Sequence, residues 1–305
     1  MKDGYIVAVG AACMDEYYHA DSWPEEGDKG MVMQMEPQIG GMISNAACVM
    51  AGYGNKVFLI DSMNNGPVSA RLKENLESYH IDVSSVITDD SLADGKCIIV
   101  VTPKERTILV LDRGGFKRPL DPERFQLLQH ASCVYTSIME FRRFEEPEKL
   151  AGNLREAGVI LAFDLEPSTF SDGNDPLFSM ASLLFFNEAG LAKYAGGRAE
   201  MKCIEELLEA GVRCIVVTLG ADGCDCYTSE EKVHLDGLKV AVKDTTGAGD
   251  TYNGSFVHAY LAGMPLIQCA RFANAAAAHS VTQLGPKAGV RSTGEVMELV
   301  GKYYS

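Results

Sequence analysis

Short apolar runs alternate with amphipathic stretches along almost the whole of this 305-residue chain, and that rhythm restricts the fold more than any other feature. Residues 5–9, 57–60, 134–135, 159–163, 183–186 and 214–219 are largely apolar, as expected of strands buried on both faces. Between them, 71–79 and 201–210 carry apolar residues at helical spacing. This order predicts an α/β fold, a parallel sheet covered by helices on both faces. Two segments break the rhythm. Residues 15–38 are acidic and rich in Pro and Gly around Met31 to Met35, while 96–101 and 107–111 are strand-like around the turn Pro103-Lys104-Glu105-Arg106. Together they predict a small β lid. With no internal repeat or low-complexity linker, the lid is expected to grow out of one main domain, the core taking 1–14, 39–91 and 119–305 and the lid 15–38 and 92–118.

The run Asp244-Thr245-Thr246-Gly247-Ala248-Gly249-Asp250-Thr251-Tyr252-Asn253-Gly254 carries the chemistry. Gly247, Ala248 and Gly249 leave backbone N–H groups open to an anion, and the following segment reads as a helix whose positive end faces that anion. Tyr252, Phe256 and Ala259 share one helical face, and Gly263 followed by Pro265 signals the stop. Asp250 sits where a substrate hydroxyl would lie between a carboxylate and a donor phosphate, the arrangement a phosphotransferase base needs. On this short pattern alone, Asp250 reads equally as a residue capping a helix after a glycine turn.

A net charge of −15 argues against nucleic acid or an anionic membrane as partner. No basic leader precedes the first apolar run and no run reaches membrane-spanning length, so a cytoplasmic location is expected. The nine cysteines are dispersed among apolar neighbours and read as reduced core thiols; Cys224-Asp225-Cys226 is the one close pair and lacks companion ligands for zinc.

Taken with Gly40-Gly41-Met42-Ile43-Ser44-Asn45-Ala46-Ala47, then Gly52-Tyr53-Gly54, Asn187-Glu188, Thr218-Leu219-Gly220-Ala221-Asp222-Gly223 and the Ala-rich segment 272–281, the chain resembles the PfkB-type carbohydrate kinases of the ribokinase superfamily over nearly its whole length. The resemblance implies a ribokinase-like three-layer α/β/α core with a mostly parallel sheet and a small β lid. It implies Asp250 as base and Gly247, Ala248 and Gly249 as the anion hole. Asp15, Gly40, Gly41, Asn45, Glu140 and Asp250 would bind the acceptor. Asn187, Thr218, Gly220, Gly223 and Asn274 would face the nucleotide. Asp244 and Thr246 would begin a monovalent-cation site, potassium in the family, and Glu188 would reach magnesium through water. ATP with Mg2+ is the implied co-substrate, and lid strands that clasp a second subunit imply a homodimer.

The pattern also departs from the family. Gly190 stands where the second acid of the Asn-x-x-Glu element belongs, Met42 replaces the lysine of the Gly-Gly-Lys variant, and the element after a middle strand is Asp164-Leu165-Glu166-Pro167. Losing a lysine and gaining carboxylates favours a neutral polyol, with Lys29, Arg106 and Arg113 as the lid cations available to a phosphorylated one. The expected activity is therefore ATP-dependent phosphorylation of a ribose- or fructose-like sugar. A nucleoside or pseudouridine kinase, which an apolar or aromatic base pocket in the lid would mark, is the near alternative, and a catalytically weak sugar- or nucleotide-binding regulator the distant one. A dinucleotide-dependent dehydrogenase is excluded, since the first strand runs into Gly10-Ala11-Ala12-Cys13-Met14-Asp15 and not into spaced glycines.

Overall fold

The computed structural model describes residues 4–111 and 116–304; Arg113, one of the expected lid cations, lies outside them. The sheet that organises the molecule has nine strands, in the spatial order Lys232–Leu235, Cys224–Tyr227, Cys214–Thr218, Leu183–Asn187, Ile160–Leu165, Cys133–Thr136, Tyr5–Val9, Lys56–Ile60 and Ile81–Asp82. The seven from Cys214–Thr218 to Ile81–Asp82 pair in parallel, and the first two join as an antiparallel edge.

Successive residues of Tyr5–Val9 enter opposite cores. Ile6 and Ala8 pack with Val49, Phe256 and Phe272 from the helices Met42–Gly52, Ala248–Leu261 and Leu266–Ser280, while Val7 and Val9 pack with Leu128, Leu150 and Leu207 from helices on the other face. A strand covered on both faces has no use for polar alternation, which explains the continuous apolar runs. The ribokinase-like α/β/α core is thus the observed architecture.

A second, five-stranded sheet stands over one end of the first. Its order is Arg106–Val110, Lys96–Val101, Cys13–His19 and Met33–Gln34, with Gln38–Gly40 also pairing with Cys13–His19. Two of its strands cross the expected domain edges: Cys13–His19 starts before residue 15, and Gln38–Gly40 continues past residue 38. The strand expected at 134–135 extends by one residue at each end, to Cys133–Thr136. Ser137 then caps the short helix Ile138–Phe141 by accepting from the Glu140 amide. A Ser followed three residues later by Glu is a helix-start signal.

Candidate active site

The site forms where the loops at the carboxyl ends of the parallel strands meet the second sheet. A cleft of about 360 Å³ is lined by Asp15, Gly41, Asn45, Glu140, Gly247 and Asp250, among others. A second cavity of about 550 Å³ is lined by Thr218, Gly220, Gly223 and Asn274. Both share Thr245, Ala248 and Gly249. A group lying in one cavity can therefore reach the other only past the start of the helix Ala248–Leu261.

That start is built by sequence. Gly247 has φ 76°, and a Cβ there would meet the Pro286 carbonyl at 2.2 Å; only glycine suits such a backbone in so close an approach. The helical ladder opens with Thr251 N donating to Gly247 O, so the amides of Gly249 and Asp250 precede it. The Ala248 amide donates to Thr245 O at 3.2 Å, which makes it a weaker anion donor than its neighbours. Nothing crowds the position of a Cβ on Gly249.

Asp250 sits at this helix start with its carboxylate against Asn45, whose Nδ2 donates to Asp250 Oδ2 at 2.8 Å. Burial pushes the Asp250 carboxyl well up, and the negative charges of Asp164, Glu166 and Asp15 push it further, while the Asn45 bond opposes them. This environment makes it a stronger base than an exposed aspartate. Asn45 is placed by the turn before its helix. Gly41 has φ 108° and a Cβ on it would meet Ala11 O at 2.4 Å; one on Gly40 would meet Asp15 Oδ2 at 2.1 Å. The Oδ1 of Asn45 is buried without a protein partner, an acceptor suited to a hydroxyl.

Asp164 was not among the expected site residues, yet it lies behind Asp250. Its Oδ2 accepts from Tyr135 Oη at 2.6 Å and Asn253 Nδ2 at 2.9 Å, and burial pushes its carboxyl up to about 7. Glu166, from the same element, lines the cleft; burial raises it and Arg106 draws it back. Arg106 reaches from the second sheet to the helix start, donating through Nη1 to Thr246 Oγ1 at 2.6 Å. Cys13, Asp15 and Tyr17 reach the cleft at alternate positions of one strand. A period-two reading of 13–19 would have found them.

Other expected residues are held by partners within the protein. Glu140 lines the cleft but is paired through both oxygens, to Arg118 Nη2 at 2.8 Å and Arg143 Nε at 3.1 Å; it ties the chain at Arg118 to the core. Asn274 borders the larger cavity and donates to Asp236 O at 2.9 Å and Tyr304 Oη at 2.8 Å, so it shapes the wall. Asp244 accepts from the amides of Thr246 and Gly285, each at 2.9 Å. Burial raises its carboxyl, but these amides and Arg106 more than offset that and leave it below its usual range. A charged carboxylate bracing the loop at Gly285 fits a monovalent cation beside the helix start.

The magnesium expectation does not fit as drawn. Asn187 is held as a helix cap, its Oδ1 accepting from Gly190 N at 2.7 Å, and Glu188 lines a separate pocket with Leu219, Asp225 and Tyr227. A Cβ on Gly190 would meet the Leu165 carbonyl at 2.1 Å, so the helix start packs too closely for the acid that the resemblance would place there. Glu166 is the carboxylate that borders the cleft beside Arg106.

Comparison with known proteins identifies the family. The pfkB family carbohydrate kinase model matches residues 3–293. The chain belongs to the PfkB family of carbohydrate kinases. It is thereby a phosphotransferase with an alcohol group as acceptor. Among curated PfkB relatives, a nucleoside kinase of Methanothermobacter thermautotrophicus is 25% identical over 304 residues, covering 97% of this chain and 96% of that protein. A Mus musculus ribokinase is 26% identical over 295 residues, 92% of this chain and 90% of that protein. In fold, Arabidopsis thaliana ribokinase complexed with ribose and ATP superposes with a TM-score of 0.85 at 20% identity, covering 97% of this chain and 98% of that one.

Proposed function

We propose that this PfkB member transfers the γ-phosphoryl group of ATP to a hydroxyl of a ribose- or fructose-like sugar. The observation that carries the reading is Asp250 in the smaller cleft, next to Ala248 and Gly249, which line both cavities. The adenine and ribose of ATP would lie along Val240, Val242 and Ala278 near Asn274, with the phosphates pointing at the helix start. A sugar in the smaller cleft would hydrogen-bond to Asp15 and Asn45, leaving one hydroxyl to Asp250. Asp250 takes that proton as the phosphoryl group arrives, while the Gly249 and Asp250 amides and Arg106 hold the developing negative charge. Magnesium bound with ATP would neutralise the β and γ oxygens, with Glu166, which lines the cleft beside Arg106, as a carboxylate available to its shell, and potassium would brace the loop at Asp244. The exposed apolar strand Arg106–Val110 supports a homodimer through the lid, and the net charge of −15 disfavours an anionic membrane surface; among the described residues no helix is long and apolar enough to cross a membrane.

A nucleoside acceptor is favoured by one specific feature. A side chamber of about 280 Å³ adjoins the acceptor cleft, sharing Val110, Leu111, Met139 and Glu140 with it and adding Leu92 and Phe116. Such walls suit an aromatic base.

The test is ADP release with Mg-ATP across neutral pentoses and hexoses, sugar phosphates and nucleosides, with and without potassium. Turnover of one neutral sugar is expected, and Asp250→Asn should lower kcat by on the order of a hundredfold or more with both KM values nearly kept, as for loss of a general base. Near-normal kcat in Asp250→Asn would overturn the assignment of the base; turnover of nucleosides alone would select the second reading.

A further inference from the structure

Strand pairing brings together three donor atoms that lie far apart in sequence. Cys13 Sγ donates to Asp15 Oδ1 at 3.1 Å, and Cys97 Sγ donates to Cys13 Sγ at 3.5 Å. All three ligand atoms fall within 4.8 Å of one another, and all three residues are buried and border the acceptor cleft. Gly40 leaves Asp15 this position, since a side chain there would meet its Oδ2.

We propose that Cys13, Asp15 and Cys97 form a binding site for a thiophilic divalent cation, Zn2+ in particular, and that the bound ion inhibits the enzyme by competing with the acceptor. At tetrahedral angles, Zn–S bonds of roughly 2.3 Å put two sulfurs roughly 3.8 Å apart, close to the separation already present. Two thiolates and one carboxylate are a donor set that zinc accepts, with the fourth position facing the cleft. The backbone disfavours the rival outcome, a disulfide. Cys97 lies beside Asp15 in the register, with Cys13 two residues back; with parallel strands roughly 4.8 Å apart and a rise of roughly 3.3 Å per residue, that diagonal spans roughly 8 Å at Cα, past the roughly 7 Å that a disulfide spans. An ion can bridge converging sulfurs whose backbones stay apart. Binding would release the two thiol protons, and the three anionic donors would outweigh the dication by one charge, which the nearby Lys287 ammonium opposes. The competition part of the inference rests on Asp15 as an acceptor ligand; the site itself does not.

The experiment uses the full-length protein, reduced and freed of metal with a chelator, and titrates it with Co2+ and then Zn2+. One equivalent of Co2+ should give sulfur-to-cobalt charge-transfer absorption in the near ultraviolet, and Zn2+ should displace it. Cys97→Ser and Cys13→Ser should each lose that absorption and weaken Zn2+ binding by on the order of a hundredfold. Cys226→Ser should keep both, and thermal unfolding of each variant checks that it is folded. In the steady state, Zn2+ should raise KM for the acceptor without lowering kcat. Absence of charge transfer at one equivalent, its persistence in folded Cys97→Ser, or a Cys13–Cys97 disulfide in place of metal uptake would overturn the site. Metal uptake with an unchanged acceptor KM would overturn the competition. If no acceptor is turned over, the kinase reading fails while the absorption still decides the site.

Discussion

Asp164 is the residue whose environment most alters the chemistry beside it. A buried carboxyl raised to about 7 binds its proton more tightly in the folded chain than in the unfolded one. Its contribution to stability is therefore full below the unfolded value and is lost as pH rises through about 7. Asp164→Asn keeps an oxygen to accept from Tyr135 and Asn253 and removes the charge. This variant should unfold at a higher temperature than the parent at about pH 8, with the difference vanishing towards about pH 4, as scanning calorimetry across that range would register. Because Asp164 also helps raise Asp250, the acidic limb of kcat should move to lower pH in the same variant. An unmoved limb would mean that burial and the other carboxylates, Glu166 and Asp15, set the base without Asp164.

The helix Ala248–Leu261 couples core and chemistry within one element. Tyr252, Phe256 and Ala259 anchor it in the core, so its first turn is fixed relative to the sheet, and Gly247 turns the chain into it. Gly247→Ala must relieve both a positive φ and an approach of 2.2 Å to Pro286 O. It is expected to lower stability by about 1–3 kcal/mol and kcat by at least about tenfold, since the amides that follow would move off the phosphoryl group. Denaturant unfolding paired with steady-state kinetics checks both, and wild-type kcat would show that these amides do not need that turn. The sequence announced this element because small residues, a carboxylate and a helical apolar face are all local signals. It marked Asp164 only as a departure bearing on acceptor choice; its place behind Asp250 depends on Tyr135 and Asn253 coming from other elements.

Across the whole molecule, the apolar surface concentrates on the second sheet: Met33 is 64% exposed and Val110 69%, and Ile108 and Leu109 on the strand Arg106–Val110 are exposed too. Monomers seldom leave such a surface uncovered, and an edge strand invites pairing with another chain. Light scattering coupled to size exclusion should give a dimer mass, and Leu109→Arg should shift it to the monomer with the core unfolding temperature nearly unchanged. A monomer at all concentrations would leave the lid to close on the acceptor without a partner.

The α/β class, the succession of strands and helices along the chain and the glycine-led helix Ala248–Leu261 were set by the chain itself, because burial on both sheet faces and the backbone freedom of glycine leave a direct mark in local sequence. Contacts between distant segments belong to tertiary structure. Glu140 joined Arg118 and Arg143 instead of facing a substrate freely, Gly190 packed against Leu165 and sent Glu188 to another pocket, and Cys13 met Cys97 across a parallel pair. Side-chain type says what a residue can bind; strand register and the packing of helix starts decide what it meets.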